Sequence, residues 1–134
     1  MVRRAKDLLE DAEDFLGAAL DLFKTGRWSK VCFNAQQAAE LALKAVLNHY
    51  GIERRTHSLV DLLDELIKIN EDFKMFQDNV KILDQYYIPT RYANAFASGP
   101  AKRYFTEQQA EQAIRLASSI LEKARSIVTE GKTQ

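Results

Sequence analysis

Apolar positions recur with a helical period along almost the whole of this chain. Between Met1 and Lys24, Ala5, Leu8, Leu9, Ala12, Phe15, Leu16, Ala19, Leu22 and Phe23 fall on one face, while Asp7, Glu10, Asp11, Glu13 and Asp14 take the other. Lys24 lies in the last turn and Gly26 follows as a left-handed stop, so the pattern predicts a first helix that ends there. Trp28 opens a second helix whose main stretch is Cys32 to Tyr50, CFNAQQAAELALKAVLNHY. Ala35, Ala38, Ala39, Ala42 and Ala45 give it a smooth face, and Leu43, Leu47 and Tyr50 give it a second apolar one. A helix apolar around more than half its circumference belongs at the centre of a bundle. Gly51 ends it, and the short link between the two helices predicts an antiparallel hairpin.

A basic connector, Ile52 to His57, precedes Ser58, which reads as an N-cap with Asp61 in the reciprocal acidic position. Leu59, Leu62, Leu63, Leu66 and Ile69 form the face of a third helix; Asn70 to Asp72 interrupts it. Phe73, Phe76, Val80, Leu83 and Tyr87 then keep the helical period until Pro89 stops it. Tyr86 to Pro100 is the one long irregular stretch. Thr106 and Gln109 form a capping-box pattern, after which Ala110, Ala113, Ile114, Ala117, Ile120, Leu121, Ala124, Ile127 and Val128 run in register. The predicted fold is all-α: an antiparallel up-and-down bundle of four long helices plus one or more short ones. Residues 1–129 form a single domain and 130–134 a polar tail.

At 134 residues the chain has enough apolar sequence for one core. Lysine and arginine together number 19, as do aspartate and glutamate, so any basic site must be local. The single Cys32 excludes an internal disulfide and fits a small buried thiol. No leader-like or membrane-spanning apolar run occurs, which predicts a soluble, cytoplasmic protein without membrane association. Two histidines, one cysteine and the absence of HExxH, Walker, GxGxxG and GxSxG patterns leave no expected metal, cofactor or catalytic triad.

The polar residues that remain gather in three places. On the second helix Gln37, Glu40 and Lys44 make a polar row, either a site or interface, or an exposed strip beside a groove. The connector supplies Arg54, Arg55 and His57; the irregular stretch supplies Tyr86, Tyr87, Thr90, Arg91 and Tyr92, followed by Lys102, Arg103 and Tyr104. Guanidinium groups fork onto phosphate, aromatic rings stack on bases, and histidine moves a proton near neutral pH, so these types together suit a nucleotide or RNA phosphate. Plain alternatives stand beside each: His57 packing at a helix start, a solvated Arg54–Arg55 pair, and Tyr86–Tyr87 packing on the bundle.

In their order, FNAQQAAELALKAVL, THSLVDLL and YYIPTRYANA resemble the HEPN family, whose members show a QQAAEKALKA-like helix, a THSL helix start and a YIPTRYP-like segment. The resemblance runs from Lys6 to about Val128. It implies an all-α bundle that commonly forms homodimers in prokaryotes, often beside a minimal nucleotidyltransferase, as a split enzyme or a toxin–antitoxin pair. Several branches are metal-independent ribonucleases whose motif is an arginine, four to six residues, then a histidine.

That motif is not met. From Arg91 the histidine positions hold Phe96, Ala97 and Ser98; counting back from His57 gives Tyr50, Gly51 and Ile52, and from His49 gives Ala42, Leu43 and Lys44. Ala93 also replaces the family's proline after Arg-Tyr. The expectation is a nucleotide-binding or nucleotidyltransferase-partner module, with Lys44, His57, Tyr87, Arg91 and Tyr92 on the ligand. The alternatives are a ribonuclease or toxin-like protein using Arg91 and His57 for catalysis, and a dimerising adaptor seamed along Gln37, Glu40 and Lys44.

Overall fold

The computed structural model describes residues 2–87 and 98–129. Thr90, Arg91 and Tyr92, the stop at Pro89 and the polar tail lie outside them. The α-helices are α1 (Val2–Lys24), α2 (Trp28–His49), α3 (Leu59–Ile69), α4 (Gln77–Asp84) and α5 (Glu107–Val128). All of them pack on α2, and α1 also packs on α5, so the alanine-rich helix is central as its composition predicts. Ala35, Ala38, Ala39, Ala42 and Ala45 are all fully buried, and α1 and α5 bring buried alanines of their own, Ala5, Ala12 and Ala19, and Ala110, Ala113, Ala117 and Ala124. Small side chains on both sides of a seam let helix axes approach toward the short end of the usual ~8–10 Å.

The ends of these helices follow local chemistry. Gly26 and Gly51 take φ values of 75° and 84°, the left-handed conformation that a Cβ penalises, and each follows a long helix. Thr106 Oγ1 accepts from Gln109 N at 3.1 Å while Gln109 Oε1 accepts from Thr106 N at 2.9 Å, completing the predicted capping box. Ser58 Oγ accepts from Asp61 N at 3.1 Å, as expected of an N-cap. The reciprocal half differs from the expectation: Ser58 N donates to Thr56 Oγ1 at 3.1 Å, and Asp61 stays exposed. A threonine hydroxyl two residues back reaches that amide without bending the helix start, so the acid is not needed.

After Asn70, whose Oδ1 accepts from Asp72 N at 3.0 Å, the predicted fourth helix begins as a 3-10 segment, Glu71–Phe76, before α4. The tighter turn buries both Phe73 and Phe76, with ring centroids 5.9 Å apart. Tyr87 falls just beyond the end of α4, in a turn.

Cys32 is fully buried on α2, and burial pushes its thiol up to about 12. Burial also raises the neighbouring Tyr86 hydroxyl, with a contribution from Cys32. The unfolded thiol ionises first, so this stabilisation is complete below about pH 9 and is lost as pH rises toward about 12. Urea melts of Cys32→Ala against wild type across that window should show the gap closing by about 1.4 kcal/mol per pH unit. Parallel alkaline limbs would remove Cys32 as the cause.

Candidate functional site

At the middle of α2 the polar row turns inward. Glu40 is 3% exposed, which rules out the exposed-strip reading, and its carboxylate is occupied on both oxygens. Lys44 Nζ donates to Oε2 at 2.8 Å, and His57 Nδ1 meets the same oxygen at 3.0 Å. The fully buried Gln36 donates Nε2 to Oε1 at 3.5 Å, the longest of the three bonds. A carboxylate this far from water needs such partners, since an unpaired buried charge costs several kcal/mol. Because a carboxylate oxygen accepts, Nδ1 of His57 carries the hydrogen of this bond.

His57 is carried to Glu40 by the connector and by the start of α3. That start is held from 24 and 25 residues away: Asp84, the last residue of α4, accepts Leu59 N on Oδ1 at 2.9 Å and Val60 N on Oδ2 at 3.0 Å. The negative end group also suits the positive N-terminus of α3. Three residues after Asp84, Tyr87 stacks on the imidazole, with centroids 5.1 Å apart and planes at 18°. The ring of His57 is thus fixed on one edge by Glu40 and on one face by Tyr87, while its side chain remains 57% exposed.

Of the predicted site residues, the structure brings Glu40, Lys44, His57 and Tyr87 together, although they come from three separate parts of the chain. Arg91 and Tyr92 lie outside the described residues. Gln37 is not among Glu40's hydrogen-bond partners; Gln36 takes that place, and the Oε1 atoms of both glutamines lack a partner among the described residues. Tyr86 is buried and packs on Phe105 at 5.8 Å, in line with its plain packing reading. Arg54 bonds Glu65 at 3.3 Å and the carbonyl of Glu53 at 2.9 Å; Arg55 is exposed. Lys102 and Arg103 sit in a 3-10 segment, Ala101–Tyr104, where Arg103 donates to Ser98 Oγ at 3.3 Å and lies 5.9 Å from the Tyr104 ring centroid.

Gln36 and Asp84 were not among the predicted residues. Gln36 shares a face with Glu40 and Lys44 at i, i+4, i+8, a spacing that marks it in the sequence. Asp84 carries no such mark. Among the described residues no group of three or more histidine, cysteine, aspartate or glutamate side chains is arranged to hold a metal ion, and no helix is long and apolar enough to cross a membrane.

The fold and this inward-turned polar cluster define an all-helical domain with a carboxylate-anchored histidine at its surface. The chain belongs to the HEPN domain family, which it matches over residues 5–127. It is similar to TT1696 from Thermus thermophilus, whose crystal structure is 41% identical with a TM-score of 0.84 and covers 92% of this chain and 97% of that one. ST0689, described as an archaeal HEPN homologue, is 31% identical with a TM-score of 0.78, covering 92% of this chain and 97% of that one. A curated relative from Methanocaldococcus jannaschii, named "Putative toxin MJ1304", is 27% identical over 139 residues, spanning 96% of this chain and 91% of its own.

Proposed function

We propose that this HEPN protein is a nucleotide- or RNA-phosphate-binding module whose site is built around Lys44, His57 and Tyr87 and completed by Arg91 and Tyr92. The observation that carries this reading is the buried Glu40 holding Lys44 and His57 on one oxygen, with the imidazole stacked on Tyr87. An ammonium and an imidazole then share one carboxylate oxygen, with the imidazole against an aromatic ring, group types that suit a phosphate and a base. The module works as a homodimer and alongside a minimal nucleotidyltransferase, as the family resemblance implies. Calorimetry with ATP, GTP and their monophosphates tests the binding: Lys44→Ala and Arg91→Ala should each weaken the affinity about ten-fold or more. Undiminished heats in both variants, or no heat in wild type, would sink it.

A second reading, a metal-independent ribonuclease or toxin, is favoured by the Glu40–His57 hydrogen bond and by the name of the Methanocaldococcus jannaschii relative. A carboxylate on Nδ1 leaves Nε2 as a base, general acid–base help being worth roughly 10²–10⁴-fold. RNA cut in the presence of a chelator by wild type and not by His57→Gln supports this reading; RNA left whole at high protein concentration rejects it.

A further inference from the structure

Lys44 faces more than Glu40. It also borders a cleft of about 380 Å³ between the N-terminal turns of α1 and the C-terminal half of α2, bounded by the connector before α3. His57 and Tyr87 do not line this cleft, so it is not the site described above. Its charge is lopsided: Arg4, Lys44, Arg54 and Arg55 line it against one carboxylate, Glu53. In a chain with zero formal net charge, that is a local concentration of cations.

Lys44 is held firmly by Glu40 at 2.8 Å, but the partners of the three arginines are weak, lie elsewhere or are absent among the described residues. Arg4 meets Glu53 at 3.6 Å with both side chains more than half exposed, a pair that water screens heavily. Arg54 reaches out of the cleft to Glu65 at 3.3 Å, and Arg55 has no ion pair among the described residues. Between these cations Leu8 and Leu41 add apolar wall. Asn48 also lines the cleft; it is 4% exposed, and its Oδ1 has no hydrogen-bond partner among the described residues.

We propose that this cleft binds an organic phosphomonoester. A phosphomonoester carries about −1.5 to −2 charges near pH 7, which answers an excess of cations better than the single charge of a diester or a carboxylate. Guanidinium groups meet its oxygens as forks. The apolar wall of Leu8 and Leu41 takes the organic body. Sugar phosphates and nucleoside monophosphates share this chemistry. The site stands apart from the nucleotide reading of the His57 site, touching it only through Lys44.

Calorimetry of the full chain with ribose 5-phosphate, AMP, inorganic phosphate and dimethyl phosphate separates the possibilities. Ribose 5-phosphate should bind Arg4→Ala and Arg55→Ala about ten-fold more weakly than wild type, and the part of its binding that depends on these arginines should persist in His57→Gln. Both arginines are exposed, so these variants should fold, and a thermal melt checks that they do. AMP binding more tightly than ribose 5-phosphate, with the same loss in Arg55→Ala, assigns the cleft to nucleotides; the reverse order assigns it to sugar phosphates. The proposal is overturned if no phosphomonoester binds, if Arg4→Ala and Arg55→Ala bind like wild type, or if dimethyl phosphate or inorganic phosphate binds as tightly as both esters. Loss of ribose 5-phosphate binding in His57→Gln alone also overturns it, while leaving the His57 site standing.

Discussion

Replacing Glu40 with alanine is expected to cost about 2–4 kcal/mol of folding stability, enough to lower Tm by roughly 10 °C in a chain of this size. The substitution removes the common acceptor of Lys44, His57 and Gln36 and leaves an ammonium only 16% exposed without its counter-charge. The lower end of the range applies if the lysine stem swings its head into the adjoining cleft, where water can replace part of what the carboxylate supplied. Paired replacement separates this loss from simple loss of packing. Glu40→Leu combined with Lys44→Met removes both charges while filling the space, and should recover most of the stability, because a buried pair often contributes little beyond its apolar substitute. A Glu40→Ala protein that melts within about 2 °C of wild type would show that the carboxylate holds nothing together.

The second large effect should come from Asp84. Two backbone amides at the start of α3 donate to its carboxylate, and hydrogen bonds to a charged acceptor are worth more than neutral ones. Asp84→Ala strands Leu59 N and Val60 N and is expected to cost about 2–3 kcal/mol by chemical denaturation. Asp84→Asn keeps one acceptor oxygen and should lose about half of that. Because Asp84 ties the start of α3 to the end of α4, the alanine variant should also loosen the His57–Tyr87 stack, whose two rings follow from those ends. Ring-current shifts of the His57 protons in NMR spectra read this directly. Unchanged shifts alongside a large loss of stability would confine Asp84 to capping.

These two residues also mark the boundary of what the sequence discloses. The bundle is legible because its signals are local. The alanines of α2 recur at helical spacing, Gly26 and Gly51 end helices by their own backbone freedom, and Thr106 with Gln109 announces α5 within four residues. Glu40 and Lys44 are legible as an i, i+4 pair, and His57 as part of a THSL helix start. Whether Glu40 is buried is not legible, since an exposed pair has the same spacing; the connector that brings His57 onto its carboxylate is a contact across 17 residues. The Asp84 clamp depends on where α4 ends and which side of α3 it meets, and no periodicity encodes a contact across 24 or 25 residues. The 3-10 segment Glu71–Phe76 escapes for a related reason, because Phe73 and Phe76 satisfy either a 3-10 or an α-helical repeat.

The central position of α2 divides the molecule by mechanical strength. Three helices of 22 or 23 residues, α1, α2 and α5, pack on one another through buried alanine and leucine, whereas α3 and α4 have 11 and 8 residues. Helices that short draw little stability from their own hydrogen bonds and depend on what they lean against. Glu40 and Lys44 belong to the strong half, His57 and Tyr87 to the weak one, so the junction between the halves runs through the candidate site. An excursion that lifts the α3–α4 layer takes the histidine off its carboxylate while the long helices stay folded. Amide exchange should therefore be faster along α3 and α4 than along α2, and a ligand spanning Lys44 and His57 should slow it.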